Sequence, residues 1–266
     1  MQKPRLGQHF LKSEATLEKI ADACVGASDV VVEVGPGHGE LTKHLVARGA
    51  RVVALERDAR LVDALRADER FSSVEIIEGN ALETLPVLIG RFRKKKISYA
   101  LVGNIPYYIT GHLLRVVGDS DYKPLKTVLL IQKEVALRLC AQPPKMNLLA
   151  ATIQIWAVPR ILFSVPRGSF VPPPEVDSAV IVLEKREPSP IGPAQLAAYY
   201  AFVRMLFRQP RKTIANNLFA LFSSRDDGIK NIETFLSGAA GLRPERLSVD
   251  QIEGLFRCFV NGGVLD

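Results

Sequence analysis

A four-residue stretch, Asn104-Ile105-Pro106-Tyr107, carries groups that suit chemistry on an aromatic amine. The side-chain oxygen of Asn104 and the backbone carbonyl of Pro106 can each accept one N–H, and proline pre-aims its carbonyl because its φ is fixed. Two acceptors orient the amine and free its lone pair to attack a methyl group in line. Tyr107 can stack on the ring, a contact worth roughly 1–3 kcal/mol per base. The stretch therefore predicts methyl transfer to the N6 amine of adenine, with Asn104, Pro106 and Tyr107 as catalytic residues.

A second aromatic side chain, Phe170, stands just before Pro172-Pro173-Pro174. The three prolines stiffen the loop that holds it. A base must leave its stack before it can enter a catalytic pocket, and a second aromatic residue would help to clamp it there. Phe170 is therefore expected to join the catalytic residues. A buried core position beside an extended proline segment is the alternative.

Three alternating glycines, Gly35, Gly37 and Gly39, follow the apolar run Val30–Val34, and Glu40 comes next. A dinucleotide site requires the pattern G-x-G-x-x-G, which is absent, and Glu40 would repel a pyrophosphate. S-adenosylmethionine has no phosphate and carries a positive sulfonium, so this objection does not apply to it. The pattern favours S-adenosylmethionine over a nicotinamide cofactor, with Gly35 and Gly37 close to it. A simple tight turn is the alternative.

Two polar residues follow the next predicted strands. Glu56 ends the second strand, where an acidic side chain can accept hydrogen bonds from both ribose hydroxyls of a nucleoside cofactor. Asn80 follows the third strand, where its amide can bond the adenine ring of the cofactor. An N-cap or surface carboxylate for Glu56 and a turn residue for Asn80 are the alternatives.

Strand and helix signals alternate over roughly the first 130 residues, which indicates a parallel sheet covered on both faces. Aliphatic and β-branched runs predict strands at residues 30–34, 51–55, 74–77, 99–102 and 127–131. Two later runs, 161–163 and 179–183, have only a Pro-rich loop between them and predict an antiparallel edge. The expected fold class is α/β, a Rossmann-like class I methyltransferase sheet that is mostly parallel with an antiparallel edge strand.

The end of the chain shows only helical patterns, at residues 196–207, 213–221, 229–236 and 249–259. A segment with three prolines and a glycine, 187–193, precedes them and has the composition of a linker. The expected division is therefore a catalytic domain at residues 1–187 and a small all-helical domain at residues 188–266.

The chain has 266 residues and a formal net charge of +7, which favours a polyanionic partner. The basic run 91–96 is either a phosphate contact or a solvated loop. No apolar run is long enough for a membrane span, and residues 1–11 do not resemble a signal peptide. The spacing of Cys24, Cys140 and Cys258 fits neither a disulfide framework nor a zinc site, so no metal and a cytoplasmic setting are expected.

The motifs together resemble the ribosomal RNA adenine N6,N6-dimethyltransferases of small-subunit maturation, and the resemblance covers nearly the whole chain. Beyond the residues already named, it rests on the following segments: Leu6-Gly7-Gln8-His9-Phe10-Leu11, Glu33-Val34-Gly35-Pro36-Gly37, Gln132-Lys133-Glu134-Val135-Ala136, Phe170-Val171-Pro172-Pro173-Pro174-Glu175-Val176-Asp177-Ser178, Phe207, Arg211-Lys212-Thr213, Asn216-Asn217-Leu218 and Arg246-Leu247-Ser248. Three positions depart from the family pattern: His9 and Tyr108 stand where asparagine is common, and Asn80 stands where aspartate is usual.

The resemblance implies dimethylation of two adjacent adenosines in the 3′-terminal hairpin of small-subunit (16S) rRNA, with S-adenosylmethionine as the methyl donor. It implies a partner in the immature 30S subunit, and a monomer is the default expectation. The residues that it places around the cofactor are His9, Leu11, Gly35, Glu56, Asn80 and Asn104. Four basic residues of the helical part are expected to contact RNA, with a solvated helix face as the alternative: Arg204, Arg208, Arg211 and Lys212.

Two other functions stay open. A sister enzyme of the same fold could methylate large-subunit rRNA, although the Phe170–Ser178 segment and the helical end disfavour it. A non-catalytic ribosome-assembly factor could keep the fold without the activity. Binding of RNA alone needs neither Glu56 nor the Asn104–Tyr107 stretch, which disfavours the second alternative.

Overall fold

The computed structural model describes residues 9–26, 28–221 and 225–261. The chain forms two compact units, and the first comprises Met1–Leu137 and Val158–Lys185. The second comprises Arg138–Ala157 and Arg186–Asp266. The division at residue 185 lies close to the boundary expected at 187, but residues 138–157 belong to the second unit rather than to the first.

The first unit alternates strands and helices, as the sequence pattern predicts. Its elements are β1 (Phe10–Leu11), α1 (Glu14–Cys24), β2 (Val30–Val34), α2 (Thr42–Ala47), β3 (Val52–Glu56), α3 (Ala59–Ala67), β4 (Glu75–Glu78), α4 (Ala81–Lys95), β5 (Tyr99–Asn104), α5 (Thr110–Asp119), β6 (Lys126–Gln132), α6 (Lys133–Leu139), β7 (Ala157–Val165), β8 (Phe170–Val171) and β9 (Ser178–Lys185). The chain passes between the units at three points, which lie within helix α6, at the start of strand β7 and at the end of strand β9.

Seven strands form one sheet in the order β4-β3-β2-β5-β6-β9-β7, and β1 and β8 form a separate two-stranded sheet. Strands β2 to β6 pair in parallel, whereas β9 pairs antiparallel with β6. Every residue of β2 and β3 is buried, which is typical of a parallel sheet covered on both faces. The expected α/β class is confirmed. The antiparallel strand β9 lies inside the sheet, and β7 occupies the edge.

The parallel register brings the carboxyl ends of four strands to one edge of the sheet. Val34 pairs with Leu55, and Glu56 pairs with Glu78. The loops that follow β2, β3, β4 and β5 therefore leave the sheet side by side. In open α/β sheets this edge is where ligands bind.

The second unit is helical, with α7 (Leu148–Gln154), α8 (Leu196–Leu206), α9 (Ile214–Leu218), α10 (Arg225–Phe235) and α11 (Val249–Asn261). The last four agree with the predicted helical patterns, but α7 was not predicted. Its N-terminus is capped by Asn147, whose side chain accepts a hydrogen bond from the Ala150 N–H at 3.1 Å. The Tyr199 hydroxyl donates to the Ala151 carbonyl at 3.1 Å, which ties α7 to α8 and explains why residues 138–157 join this unit. No helix in the described ranges has the length and apolar character to cross a membrane.

Substitutions at Gly39 and Gly49 can distinguish the energetic cost of a left-handed backbone from the cost of steric crowding. Gly39 (φ +87°) and Gly49 (φ +74°) both have left-handed backbone, but a Cβ on Gly39 would lie 2.4 Å from Cζ of the buried Phe71. Alanine costs about 1–2 kcal/mol at either position because of its backbone. We expect Gly39→Ala to reduce the free energy of unfolding more than Gly49→Ala in urea denaturation. Equal losses would contradict the crowding at Phe71.

Candidate active site

A cavity of about 200 Å³ lies at the carboxyl ends of β2 to β5 in the first unit. The structure brings together there all the residues expected to bind the cofactor: His9, Leu11, Gly35, Gly37, Glu56, Asn80 and Asn104. Pro106 and Tyr107 line the same cavity. The residues expected to bind the cofactor and three of the four expected catalytic residues therefore meet in one place.

The glycine turn after β2 forms one wall of the cavity. Gly35 and Gly37 have φ values of +70° and +62°, which L side chains rarely adopt. A Cβ on Gly37 would lie only 3.1 Å from Cε1 of Phe10. The turn therefore keeps bare backbone beside the cavity, where a ligand can approach it closely.

The Glu56 side chain is 5% exposed and is held by three backbone N–H groups. One carboxylate oxygen accepts from Gly37 at 3.2 Å, and the other accepts from Arg57 at 2.8 Å and Asp58 at 2.9 Å. A carboxylate has about four acceptor sites, so it can still accept further hydrogen bonds. The backbone therefore orients the Glu56 carboxylate, and this arrangement suits recognition of a ribose diol.

Asn80 lines the cavity and also caps α4. Its side-chain oxygen accepts from the Leu82 N–H at 3.2 Å, and its Nδ2 donates to Glu83 Oε1 at 2.7 Å. In this structure Asn80 therefore acts as the capping residue at the turn before α4, which is the alternative that the sequence left open. Its contact with the adenine of a cofactor stays a prediction.

The orientation of the Asn104 amide is set by the backbone of the N-terminal segment. Its Nδ2 donates to the His9 carbonyl at 3.1 Å, which leaves Oδ1 as the acceptor. The Pro106 carbonyl already accepts the Ile109 N–H at 3.1 Å and keeps one further lone pair. Both groups can therefore accept hydrogen bonds from an amine in the way that the sequence predicts.

Tyr107 is half-buried and is held from two sides. Its hydroxyl hydrogen-bonds Ser178 Oγ at 2.6 Å, and its ring stacks with the His9 ring at a centroid distance of 6.0 Å and 25° between the planes. The His9 ring in turn bonds the Pro172 carbonyl through Nδ1 at 2.9 Å. Burial raises the pKa of Tyr107, so it stays a neutral phenol that can stack on a base. Neither the hydrogen bond between Ser178 and Tyr107 nor the contact between the His9 and Tyr107 rings was predicted from the sequence.

Phe170 does not lie where the clamp hypothesis requires. It is 2% exposed, belongs to the hydrophobic core with Leu11 and is not among the residues that line the cavity. Strand β8 pairs with β1, so that Leu11 faces Phe170, and the alternation of side chains turns Val171 outward, 58% exposed. The core alternative is therefore correct in this structure. The exposed aromatic residue beside the cavity is Tyr108, at 60%.

A buried carboxyl, Glu33, also lines the cavity. It belongs to a segment on which the family resemblance rests, but the sequence alone assigned it no role. It lies in β2 with 1% exposure, and one of its carboxyl oxygens accepts the Thr42 hydroxyl at 2.7 Å. Burial raises the pKa of Glu33 to about 8, and the Glu40 and Glu56 carboxylates add to the effect. The available signal was an acid within the apolar run 30–34.

The basic residues expected to bind RNA lie in the second unit and are exposed: Arg204, Arg208, Arg211 and Lys212. Three of them are in the connection between α8 and α9, which the buried Asn217 holds. The Asn217 side chain accepts from the Gln209 N–H at 2.9 Å and donates to the Gln209 carbonyl at 3.1 Å. In the basic run 91–96 of the first unit, Arg91 pairs with Glu75 and Arg93 pairs with Asp121.

The chemical groups that line the cavity fit S-adenosylmethionine. Four carboxyl groups line it, from Glu33, Glu40, Glu56 and Asp58, which suits a cationic ligand and disfavours a phosphate. A glycine turn after the first parallel strand and an acid at the end of the second also occur in dinucleotide sites, but the carboxyl lining favours the class I methyltransferases that use this donor.

The comparisons with known proteins agree with this class. The solved structure of a dimethyladenosine transferase from Plasmodium falciparum superimposes with a TM-score of 0.83 at 24% identity, covering 97% of this chain and 99% of that one. The 23S rRNA methyltransferase ErmE gives 0.72 at 25% identity, covering 94% and 98%.

Sequence relatives define the family. Residues 1–243 match the family described as ribosomal RNA adenine dimethylase. The ribosomal RNA small subunit methyltransferase A of Levilactobacillus brevis is 37% identical over 273 residues, which cover 99% of this chain and 92% of that protein. Its counterpart in Dehalococcoides mccartyi is 38% identical over 216 residues, 80% and 73% of the two chains. The chain belongs to the ribosomal RNA adenine dimethylase family and is an rRNA adenine dimethyltransferase.

The buried Glu33 carboxyl should make stability depend on pH. Its pKa is about 8 in the folded protein against an ordinary value of 4.5, so the free energy of unfolding falls as the pH rises between these values. Glu33→Gln stays neutral and escapes this loss. We expect the melting temperature of the variant, relative to the wild type, to rise from pH 5 to pH 8.5. The exposed control Glu69→Gln should show no such trend, and a flat difference for Glu33→Gln would contradict the prediction.

Proposed function

We propose that this enzyme dimethylates the N6 amines of two adjacent adenosines in the 3′-terminal hairpin of 16S rRNA, within an immature 30S subunit. The observation that best supports the catalytic part of this proposal is the fixed orientation of the Asn104 amide. Its nitrogen is engaged by the His9 carbonyl at 3.1 Å, which leaves its oxygen free to accept an N–H from the substrate. An Asn104 without that bond could rotate and present a donor, which an amine N–H would not use.

The catalytic residues act by orientation rather than by strong base catalysis. S-adenosylmethionine supplies an electrophilic methyl group when it is bound. Asn104 Oδ1 and the Pro106 carbonyl accept hydrogen bonds from the two N6–H groups of the target adenine. These bonds turn the nitrogen lone pair out of conjugation with the ring. The Tyr107 ring stacks on the base. The proton of the methylated amine leaves to water, so no strong general base is required.

The cofactor-binding residues have separate tasks in this proposal. Glu56 accepts the ribose hydroxyls, and the backbone at Gly35 and Gly37 approaches the amino-acid part of the cofactor. Asn80 contacts its adenine. His9 and Leu11 close the cavity from the N-terminal segment, because the His9 ring lies against Tyr107.

The RNA partner is supported by charge and by the names of the relatives. The two sequence relatives are named small-subunit methyltransferases, which favours the small-subunit target over the large-subunit one. The four exposed basic residues at 204, 208, 211 and 212 suit phosphate contacts. We propose a monomer that meets its ribosomal substrate in the cytoplasm.

A non-catalytic assembly factor of the same fold is the second candidate. Such a factor would bind subunits without needing an ordered amide at Asn104 or a backbone-held carboxylate at Glu56. Both features are present, which favours the enzyme.

Methyl transfer tests the proposed role of Asn104. Incubation of the protein with radiolabelled S-adenosylmethionine and immature 30S subunits should yield two adjacent N6,N6-dimethyladenosines, mapped by mass spectrometry. Asn104→Ala removes one of two oriented acceptors and should lower kcat by about 10²–10³-fold. The control Asn216→Ala, at an exposed position of the second unit, should keep the activity.

The product pattern separates the candidate functions. Label confined to large-subunit RNA would assign the protein to the sister enzymes. Tight binding of subunits without label would support the assembly factor. Full activity in Asn104→Ala would reject the acceptor role of this side chain.

The basic connection after α8 should contribute phosphate contacts. Arg204→Ala with Arg208→Ala removes two exposed charges and should reduce the slope of log affinity against log salt by about 1–2 for a 3′-hairpin RNA. Lys94→Ala with Lys95→Ala removes two exposed charges from the first unit and should leave the slope nearly unchanged. Equal slopes for the two double variants would argue against specific contacts by Arg204 and Arg208.

A further inference from the structure

The Glu33 carboxyl is a buried ionisable group to which the catalytic proposal assigns no role. It lines the cavity at the end of β2 and is 1% exposed. Among the described residues, its only hydrogen-bond partner is the Thr42 hydroxyl at 2.7 Å, and no cation forms an ion pair with it. An isolated buried carboxylate is costly, so such a group either binds a proton or faces a cation.

The groups around Glu33 add negative charge. The Glu40 and Glu56 carboxylates both disfavour its ionised form. The pKa of the nearby Cys24 thiol is raised, mainly by burial and to a smaller extent by Glu33. The Lys12 ammonium forms an ion pair with Glu40 at 3.3 Å. The other titratable or charged groups that line the cavity are His9, Arg57, Asp58, Tyr107 and Tyr108. No residue in the described part of the chain neutralises Glu33, so a cation in the cavity would have to come from a ligand.

We propose that Glu33 is a charge-sensing residue that releases its proton when the cationic methyl donor binds and thereby distinguishes this donor from its uncharged-sulfur product. This inference rests on S-adenosylmethionine being the cofactor. The balance is simple: the carboxylic acid loses one proton to the solvent, and the carboxylate that remains faces the positive sulfonium. No bond in the donor or in the chain is formed or broken.

The same step explains how the product is released. S-adenosylhomocysteine keeps the ammonium and carboxylate of the donor but has a neutral sulfur. Without the sulfonium, the buried carboxylate has no compensating charge and takes its proton back. The site therefore favours the donor over the product, which matters for an enzyme that must exchange cofactor for every methyl group it transfers.

Isothermal titration calorimetry of the full chain tests the proton release. Each ligand is titrated at pH 7.0 in three buffers of different ionisation enthalpy, and the slope of the observed enthalpy gives the protons exchanged. S-adenosylmethionine should release about 0.5–1 proton, and S-adenosylhomocysteine should release much less. From pH 6 to pH 7, the affinity for S-adenosylmethionine should rise about 5–10-fold because a group with a pKa of about 8 must ionise.

Two variants assign the proton to its residue. Glu33→Gln can still accept the Thr42 hydroxyl bond; it should bind the donor without proton release and lose about tenfold of its preference for the donor over the product. Glu40→Gln removes a carboxylate that is already paired with Lys12 and should keep the proton release. Sinefungin, which carries an amine near the sulfonium position, should behave like the donor.

Three results would overturn the inference. Proton release that persists in Glu33→Gln would assign it to another group, with His9 the first to examine. Equal release with donor and product would mean that Glu33 faces the shared ammonium and does not discriminate between them. Binding without any release in the wild type would show that Glu33 keeps its proton. If neither ligand binds at all, the cofactor assignment itself fails, which is a separate outcome.

Discussion

The parallel register of β2 to β5 is the constraint on which the site depends. Strands that run in the same direction end at the same edge, so loops that are far apart in sequence leave the sheet side by side. The pairing of Glu56 with Glu78 sets the heights of two such ends. The glycine turn, the Glu56 carboxylate, the Asn80 cap and the Asn104 amide thereby reach one cavity without any of them being close in sequence. A slip in register by one residue would turn these side chains to the other face of the sheet.

Backbone groups then complete what the register begins. Three N–H groups hold the Glu56 carboxylate, and the His9 carbonyl holds the Asn104 amide. These bonds act on two side chains that line the cavity and that can still accept further hydrogen bonds. A fixed acceptor costs no reorganisation when the substrate arrives, which is the main source of electrostatic catalysis. The His9 segment therefore belongs to the site as much as the strand ends do, because it orients the amide that is proposed to accept the amine N–H.

Local pattern predicted the strands of the seven-stranded sheet, the helical end, the glycine turn and the polar residues at the strand ends, since β-branched runs, glycine turns and acids at strand ends each have a local physical cause. His9 and Leu11 were expected only from the family resemblance, and much of the remaining cavity lining was not predicted. The failures concern facts that only pairing decides. Which residue of the Phe170–Val171 pair faces the core depends on β8 pairing with β1, and that partner lies more than 150 residues away. The helix α7 is short and follows two prolines, so its pattern is weak, and its place in the second unit follows from contacts with α8. Glu33 looked like one polar residue in an apolar strand because its cavity is formed by other strands.

The distribution of charge reconciles a basic chain with an acidic cavity. The net charge of +7 attracts RNA, yet four carboxyl groups line the space where the methyl donor would bind. Carboxylates in the cavity disfavour phosphate groups there, and in the proposed function exposed arginines such as Arg208 contact the phosphates instead. An uncharged base escapes this repulsion and can enter once it has left its stack. In the proposed reaction, this distribution of charge would keep phosphate groups out of the cavity and admit the uncharged base on which the Asn104 amide is proposed to act.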